Sequence, residues 1–139
     1  MNDSFRPITP SAIEIAKLLA IADRDLGQAA IDNLHLDTRF ALAYNAALQL
    51  ATVVLRLHGA RIRKTGFHER TFRELEPHLP PSMRSFADYF DRARRKRNTL
   101  SYDHVNVASA SEVDDLIGQV KVFGAWVTEE VGRSNLALT

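Results

Sequence analysis

Phe40-Ala41-Leu42-Ala43-Tyr44-Asn45-Ala46-Ala47-Leu48-Gln49-Leu50-Ala51-Thr52-Val53-Val54-Leu55-Arg56-Leu57 is the stretch on which the fold turns. Apolar residues recur at Phe40, Ala43, Tyr44, Ala47, Leu50, Ala51, Val54 and Leu57, the three-and-four spacing of a helix face. Leu42, Leu48, Val53 and Leu55 widen that face beyond a single stripe, so this helix is expected to sit at the centre of the fold, with neighbours on more than one side. Asp37 reads as its N-cap and Gly59 as its stop, because glycine reaches the left-handed conformation that ends helices.

Working outward, Thr9-Pro10 reads as a helix start, with Thr9 capping and Pro10 at the first helical position. Ile15, Leu18, Leu19, Ala22, Leu26, Ala29 and Ala30 continue the pattern to an expected end near Asn33. On the other side, residues 60–66 read as a basic loop, and a short helix is expected over Phe67 to Glu76 with Phe72 and Leu75 inward. Pro77, Pro80 and Pro81 punctuate the next connection. Ser82 reads as the cap of the helix that follows. Residues 105–110 read as a loop, and Ser111, with Asp114 three residues on, reads as the cap of the last helix. Val113, Leu116, Ile117, Val120, Phe123, Gly124, Val127 and Val131 form that helix's buried face, and Trp126 flanks it as packing. The tail from Ser134 is expected to fray. Alternating strands and internal repeats are not evident. The expectation is a single all-α domain over residues 1–139, an antiparallel up-and-down four-helix bundle with one additional short helix.

The 139 residues suffice for one domain with a real core. Without cysteine, disulfides, thiol nucleophiles and zinc–thiolate sites are excluded. No His-x-x-x-His or Glu-x-x-His pair suggests a metal, and no glycine-rich loop suggests a phosphate cradle, so neither metal nor cofactor is expected. No uninterrupted apolar run approaches the roughly 20 residues that span a bilayer. Met1 to Pro7 lacks an apolar signal core, so a cytoplasmic location is expected. Net charge is only +1, but it is unevenly spread: residues 56–97 carry twelve basic and five acidic groups, while the flanking segments are net acidic. Such a basic middle suits an anionic partner, and equally suits salt-bridged helix packing.

The basic run Arg92-Ala93-Arg94-Arg95-Lys96-Arg97 leads into Asn98-Thr99-Leu100-Ser101-Tyr102-Asp103-His104. Its helix has an apolar stripe through Phe86, Phe90, Ala93 and Leu100, and Arg97 and His104 fall within that stripe. Arg97, Ser101 and His104 share one face if the helix continues, as do Arg94, Asn98 and Tyr102. A guanidinium grips phosphate oxygens in a fork, and an imidazole moves protons near neutral pH. Arg97 and His104 are therefore the candidate catalytic pair for metal-independent RNA cleavage, with Arg94, Asn98, Ser101 and Tyr102 as candidate substrate-binding residues. The alternative is structural: Arg97 bridges helices and the histidine caps carbonyls. His58 with Arg61, Arg63, Lys64, His68 and Arg70 forms either a second anion patch or a solvated loop. His35 and His78 receive no role.

Arg97-Asn98 and His104, with six residues between Arg97 and His104, resemble the signature of HEPN domains: an arginine, usually followed by a polar residue, and a histidine four to six residues further on. Tyr102-Asp103 is similar to the Arg-Asn…Tyr-Asp subgroup without demonstrated cleavage. Tyr44-Asn45-Ala46-Ala47, Gly59-Ala60-Arg61 and His68 before Phe72 resemble that subgroup too. The resemblance implies a homodimer, with the arginine and histidine of both subunits lining a shared cleft in active members. It also implies an antitoxin or nucleotidyltransferase partner, with RNA or a nucleotide as ligand and no membrane. The expected function is a non-catalytic module binding nucleotide, RNA or a partner protein. The alternative is a metal-independent endoribonuclease using Arg97 and His104.

Overall fold

A computed structural model describes residues 5–7, 11–62, 67–100 and 107–134. Five helices dominate: α1 (Ala12–Ala29), α2 (Leu36–Leu57), α3 (Phe67–Leu75), α4 (Ser85–Leu100) and α5 (Ala110–Arg133). The all-α expectation holds, with α3 as the short extra helix. One feature was not expected: Phe5–Pro7 (β1) pairs antiparallel with Ala60–Ile62 (β2), so part of the segment read as a loop is a strand. Three residues per strand are too few for alternation to register as a pattern.

α2 is the hub, packed against α1, α3, α4 and α5. Its small residues Ala43, Ala46, Ala47 and Ala51 are all fully buried, which lets neighbouring backbones approach from several directions. By length and composition this helix is apolar enough to cross a bilayer, but 72% of its most apolar window is buried by its neighbours, as befits a core helix. Gly124 of α5 marks a close approach: a Cβ there would stand 3.4 Å from Leu50 Cδ1.

Residue pairs fix the directions. Ala29 meets Arg39, Asp25 meets Asn45 and Glu14 meets Arg56, so α1 and α2 run antiparallel. Arg39 faces Asp114 while Leu50 faces Gly124, so α2 and α5 run parallel. Lys96 meets Glu112 and Phe86 meets Phe123, so α4 and α5 run antiparallel. The α3 and α4 side of the core is aromatic: Phe90 lies 5.9 Å from Phe72 and 5.3 Å from Phe123, and Phe72 stands edge-on to Tyr44.

Several helix ends differ from the sequence reading. Thr9 and Pro10 lie outside the described residues; Ser11 caps α1, accepting the Glu14 N–H at 3.3 Å. α1 stops at Ala29, short of Asn33, because the buried Arg39 guanidinium donates to the Ala29 carbonyl at 2.7 Å. His35, not Asp37, caps α2: its Nδ1 accepts the Asp37 N–H at 3.0 Å. The Asp37 carboxylate instead accepts the Val107 and Ala108 N–H groups, at 3.3 and 2.8 Å. The expected stop holds, with His58 as C-cap and Gly59 at φ 72°. Ser82 lies inside a 3-10 turn, Pro81–Met83, and α4 begins at Ser85. α5 is capped by Ser109 rather than Ser111, in a full capping box with Glu112.

Candidate functional site

α4 turns Ala87, Phe90 and Ala93 into the core and carries its cations around the remaining face. Most of these cations meet a carboxylate of the same chain. Arg92 pairs with Asp88 at 3.2 Å, and Lys96 reaches across to Glu112 on α5 at 2.9 Å. Asp91 takes two guanidiniums, Arg94 at 2.8 Å and Arg95 at 2.9 Å. Burial alone would push the Asp91 carboxyl up, but the hydrogen bonds from Arg94 and Arg95 outweigh it and hold the group below the ordinary aspartate value. The hydrogen bond that Arg94 donates to Asp91 in turn raises the Arg94 guanidinium.

Arg94 is only 17% exposed, and its charge interacts with Tyr44 of α2. That side chain, fully buried, has its phenol pushed up to about 12 by burial, while the Arg94 and Arg97 charges pull the other way. Tyr44, Asp91, Arg94 and Arg97 thus form one polar cluster between α2 and α4. Arg97 is half-buried, as its place on the apolar stripe predicts, and Asn98 is exposed near the helix end. Ser101, Tyr102 and His104, with Asp103, lie outside the described residues. The described chain resumes at Val107 and Ala108, whose N–H groups Asp37 holds beside the N-terminus of α2.

A second polar centre lies between α1 and α2. Asp25 is 2% exposed; one carboxylate oxygen accepts from the Arg24 Nε at 3.1 Å, and the other accepts from the Asn45 side-chain amide. Between α4 and α5, a cavity of about 220 Å³ is walled by Tyr89, Arg92, Lys96, Glu112 and Asp115. The Tyr89 hydroxyl donates to Asp115, and Arg92 lies over the Tyr89 ring at 5.7 Å. Burial, then that hydrogen bond, raises the Tyr89 phenol.

Of the second anion patch, only His58 and Arg70 have described side chains. His58 stacks on His78 with ring centroids 4.4 Å apart, so His78 is a neighbour of that patch rather than an isolated residue. Among the described residues no three acidic, histidine or cysteine side chains gather as a metal would require.

The sequence reading missed the role of Asp88 and Asp91, though the signal was there: each stands three or four residues before an arginine, the spacing of helical ion pairs. Tyr44 was read as part of the apolar face of the central helix, and Asn45 was noticed only through resemblance. Their partners on α1 and α4 are set by tertiary packing, which no local spacing announces.

These observations define a small, all-helical domain with a hub helix and a charge-paired basic helix beside it. Residues 30–128 match the family model described as SAV_6107-like HEPN. That match covers well over half of the chain, which therefore belongs to the HEPN family. No curated protein and no solved structure shows a significant match.

Proposed function

We propose that this HEPN-type module binds without cleaving, and that the end of α4 docks a partner protein. The observation that carries this reading is the state of the basic helix: Arg92, Arg94, Arg95 and Lys96 each meet a carboxylate of their own chain. A cation already paired must give up that carboxylate before it binds a phosphate, which weakens the case for a phosphate-tracking surface. Paired charges of both signs suit a protein interface, where they set register and exclude wrong partners. An antitoxin or nucleotidyltransferase fits this role, with nucleotide or RNA as a further ligand. We also read the long helices as an up-and-down bundle, supported by the antiparallel α1–α2 and α4–α5 pairs, and place the protein in the cytoplasm as a homodimer.

The second reading is the metal-independent endoribonuclease. Arg97 favours it, as a half-buried guanidinium beside Tyr44 on a packing face. The test is incubation of the purified protein with a range of RNAs in EDTA, alongside Arg97→Ala and His104→Ala. The binding reading expects intact RNA in all three reactions. Cleavage by the wild type that both variants lose would replace it with the nuclease.

A further inference from the structure

The cavity of about 220 Å³ between α4 and α5 has an apolar floor and a charged mouth. Phe40 of α2, Ala93 of α4 and Leu116 of α5 make the floor, and all three are buried. Arg92 and Lys96, four residues apart on one face of α4, make a basic wall. Glu112 and Asp115, three residues apart on one face of α5, make an acidic wall. Two bridges cross the mouth from wall to wall: Lys96 to Glu112 at 2.9 Å, and the Tyr89 hydroxyl to Asp115.

Glu112 is held in place by its own helix end. One of its carboxylate oxygens accepts the Ser109 N–H at 2.9 Å, and the other meets Lys96. The Ser109 backbone first, and then Lys96, keep this carboxyl below the ordinary glutamate value, so it stays charged. On the opposite wall the Arg92 guanidinium lies over the Tyr89 ring and pairs with Asp88, which is not part of the lining.

The Lys96–Glu112 bridge selects what can enter. An anion that took Lys96 would leave Glu112 without its partner, and a cation that took Glu112 would leave Lys96 without one. A dipolar ion does neither. Its carboxylate takes the Lys96 ammonium while its own ammonium takes the Glu112 carboxylate, so each protein charge exchanges one partner for another. We infer that this cavity binds a free α-amino acid with an apolar side chain, inserted into the Lys96–Glu112 bridge. The ligand's carboxylate faces Lys96 and Arg92, its ammonium faces Glu112 and Asp115, and its side chain covers Phe40, Ala93 and Leu116. The size agrees: sites for drug-sized ligands run to roughly 300–1,000 Å³, and this cavity is smaller. A peptide end is excluded by the same argument, because it brings only one of the two charges. The inference stands apart from the docking reading, which concerns the end of α4, and makes no use of Arg97. The RNA experiment and the one below therefore fail independently.

The experiment is a titration of the full chain with L-phenylalanine, followed by the backbone amide resonances of α4 and α5. Saturable shifts confined to those helices and Phe40 are expected, with a Kd of about 1 mM or tighter. N-acetyl-L-phenylalanine, which keeps only the negative charge, and L-phenylalaninamide, which keeps only the positive one, should each bind at least about tenfold more weakly. Glycine, which brings both charges without the apolar body, should also lose at least about tenfold. Lys96→Gln and Asp115→Asn should weaken L-phenylalanine to a similar degree, with unchanged circular dichroism and Tm as the check on folding. The analogue series on the wild type needs no variant at all. Absence of any saturable shift with L-phenylalanine would overturn the inference. So would equal binding of either single-charge analogue, or binding that survives both substitutions.

Discussion

At the scale of single residues, the stacked imidazoles beyond the end of α2 make stability sensitive to acid. Burial lowers the His78 pKa below its ordinary 6.5; the neighbouring His58 charge lowers it further, and Glu74 opposes both. The unfolded chain therefore binds a proton on His78 at a pH where the folded chain still refuses it. Stability follows the difference in bound protons, so it is undiminished above 6.5 and falls as pH drops from there through the folded value. A series of urea midpoints across the weakly acidic range should show this loss, and His78→Gln should flatten it. An unchanged slope in the variant would mean that another group carries the titration. Nothing in the sequence foretold the pair. His58 and His78 are twenty residues apart on separate elements, and the packing of α3 on α2 is what brings the two rings within reach.

At the scale of elements, the start of α5 shows how a local pattern can be ambiguous until packing decides. Ser109-Ala110-Ser111-Glu112-Val113-Asp114 offers two serines, each followed three residues later by an acid. Either could begin the helix by the capping rule. The structure selects Ser109, whose Oγ accepts the Glu112 N–H at 3.0 Å while the Glu112 carboxylate accepts the Ser109 N–H at 2.9 Å. The choice is made from outside the helix. Asp37 holds the Val107 and Ala108 N–H groups and Ala108 is buried, so the backbone entering α5 is fixed just before Ser109. That contact spans seventy residues and was invisible to a reading that spent Asp37 on its own helix. Ser109→Ala should cost about 1 kcal/mol of stability, whereas Ser111→Ala, at the exposed second helical position, should be neutral or gain a few tenths. Chemical denaturation of the two variants separates these, and equal losses would mean that the cap is shared.

At the scale of the whole molecule, helix periodicity was enough to read five helices and a central α2, because nearly every apolar repeat of the sequence does face a core. The candidate site was legible only in part. Half-buried Arg97 follows from the stripe, but the carboxylates that occupy its neighbours come partly from across the fold. The hub arrangement has a consequence for cooperativity. Every other helix packs on α2, and the aromatic chain Phe72, Phe90 and Phe123 ties α3, α4 and α5 together around it. No helix can keep its apolar face covered once α2 leaves, so the chain should unfold in one step. Trp126, the single tryptophan, stacks on Phe123 and reports on α5, while circular dichroism reports on all helices at once. The two signals should trace the same transition. Phe90 is fully buried at the meeting point, and Phe90→Ala should remove about 3–5 kcal/mol, moving both curves together to lower denaturant. If tryptophan emission changed at one denaturant concentration and helicity at another, α5 would be separable from the hub, and the argument that α2 binds the fold into one unit would fail.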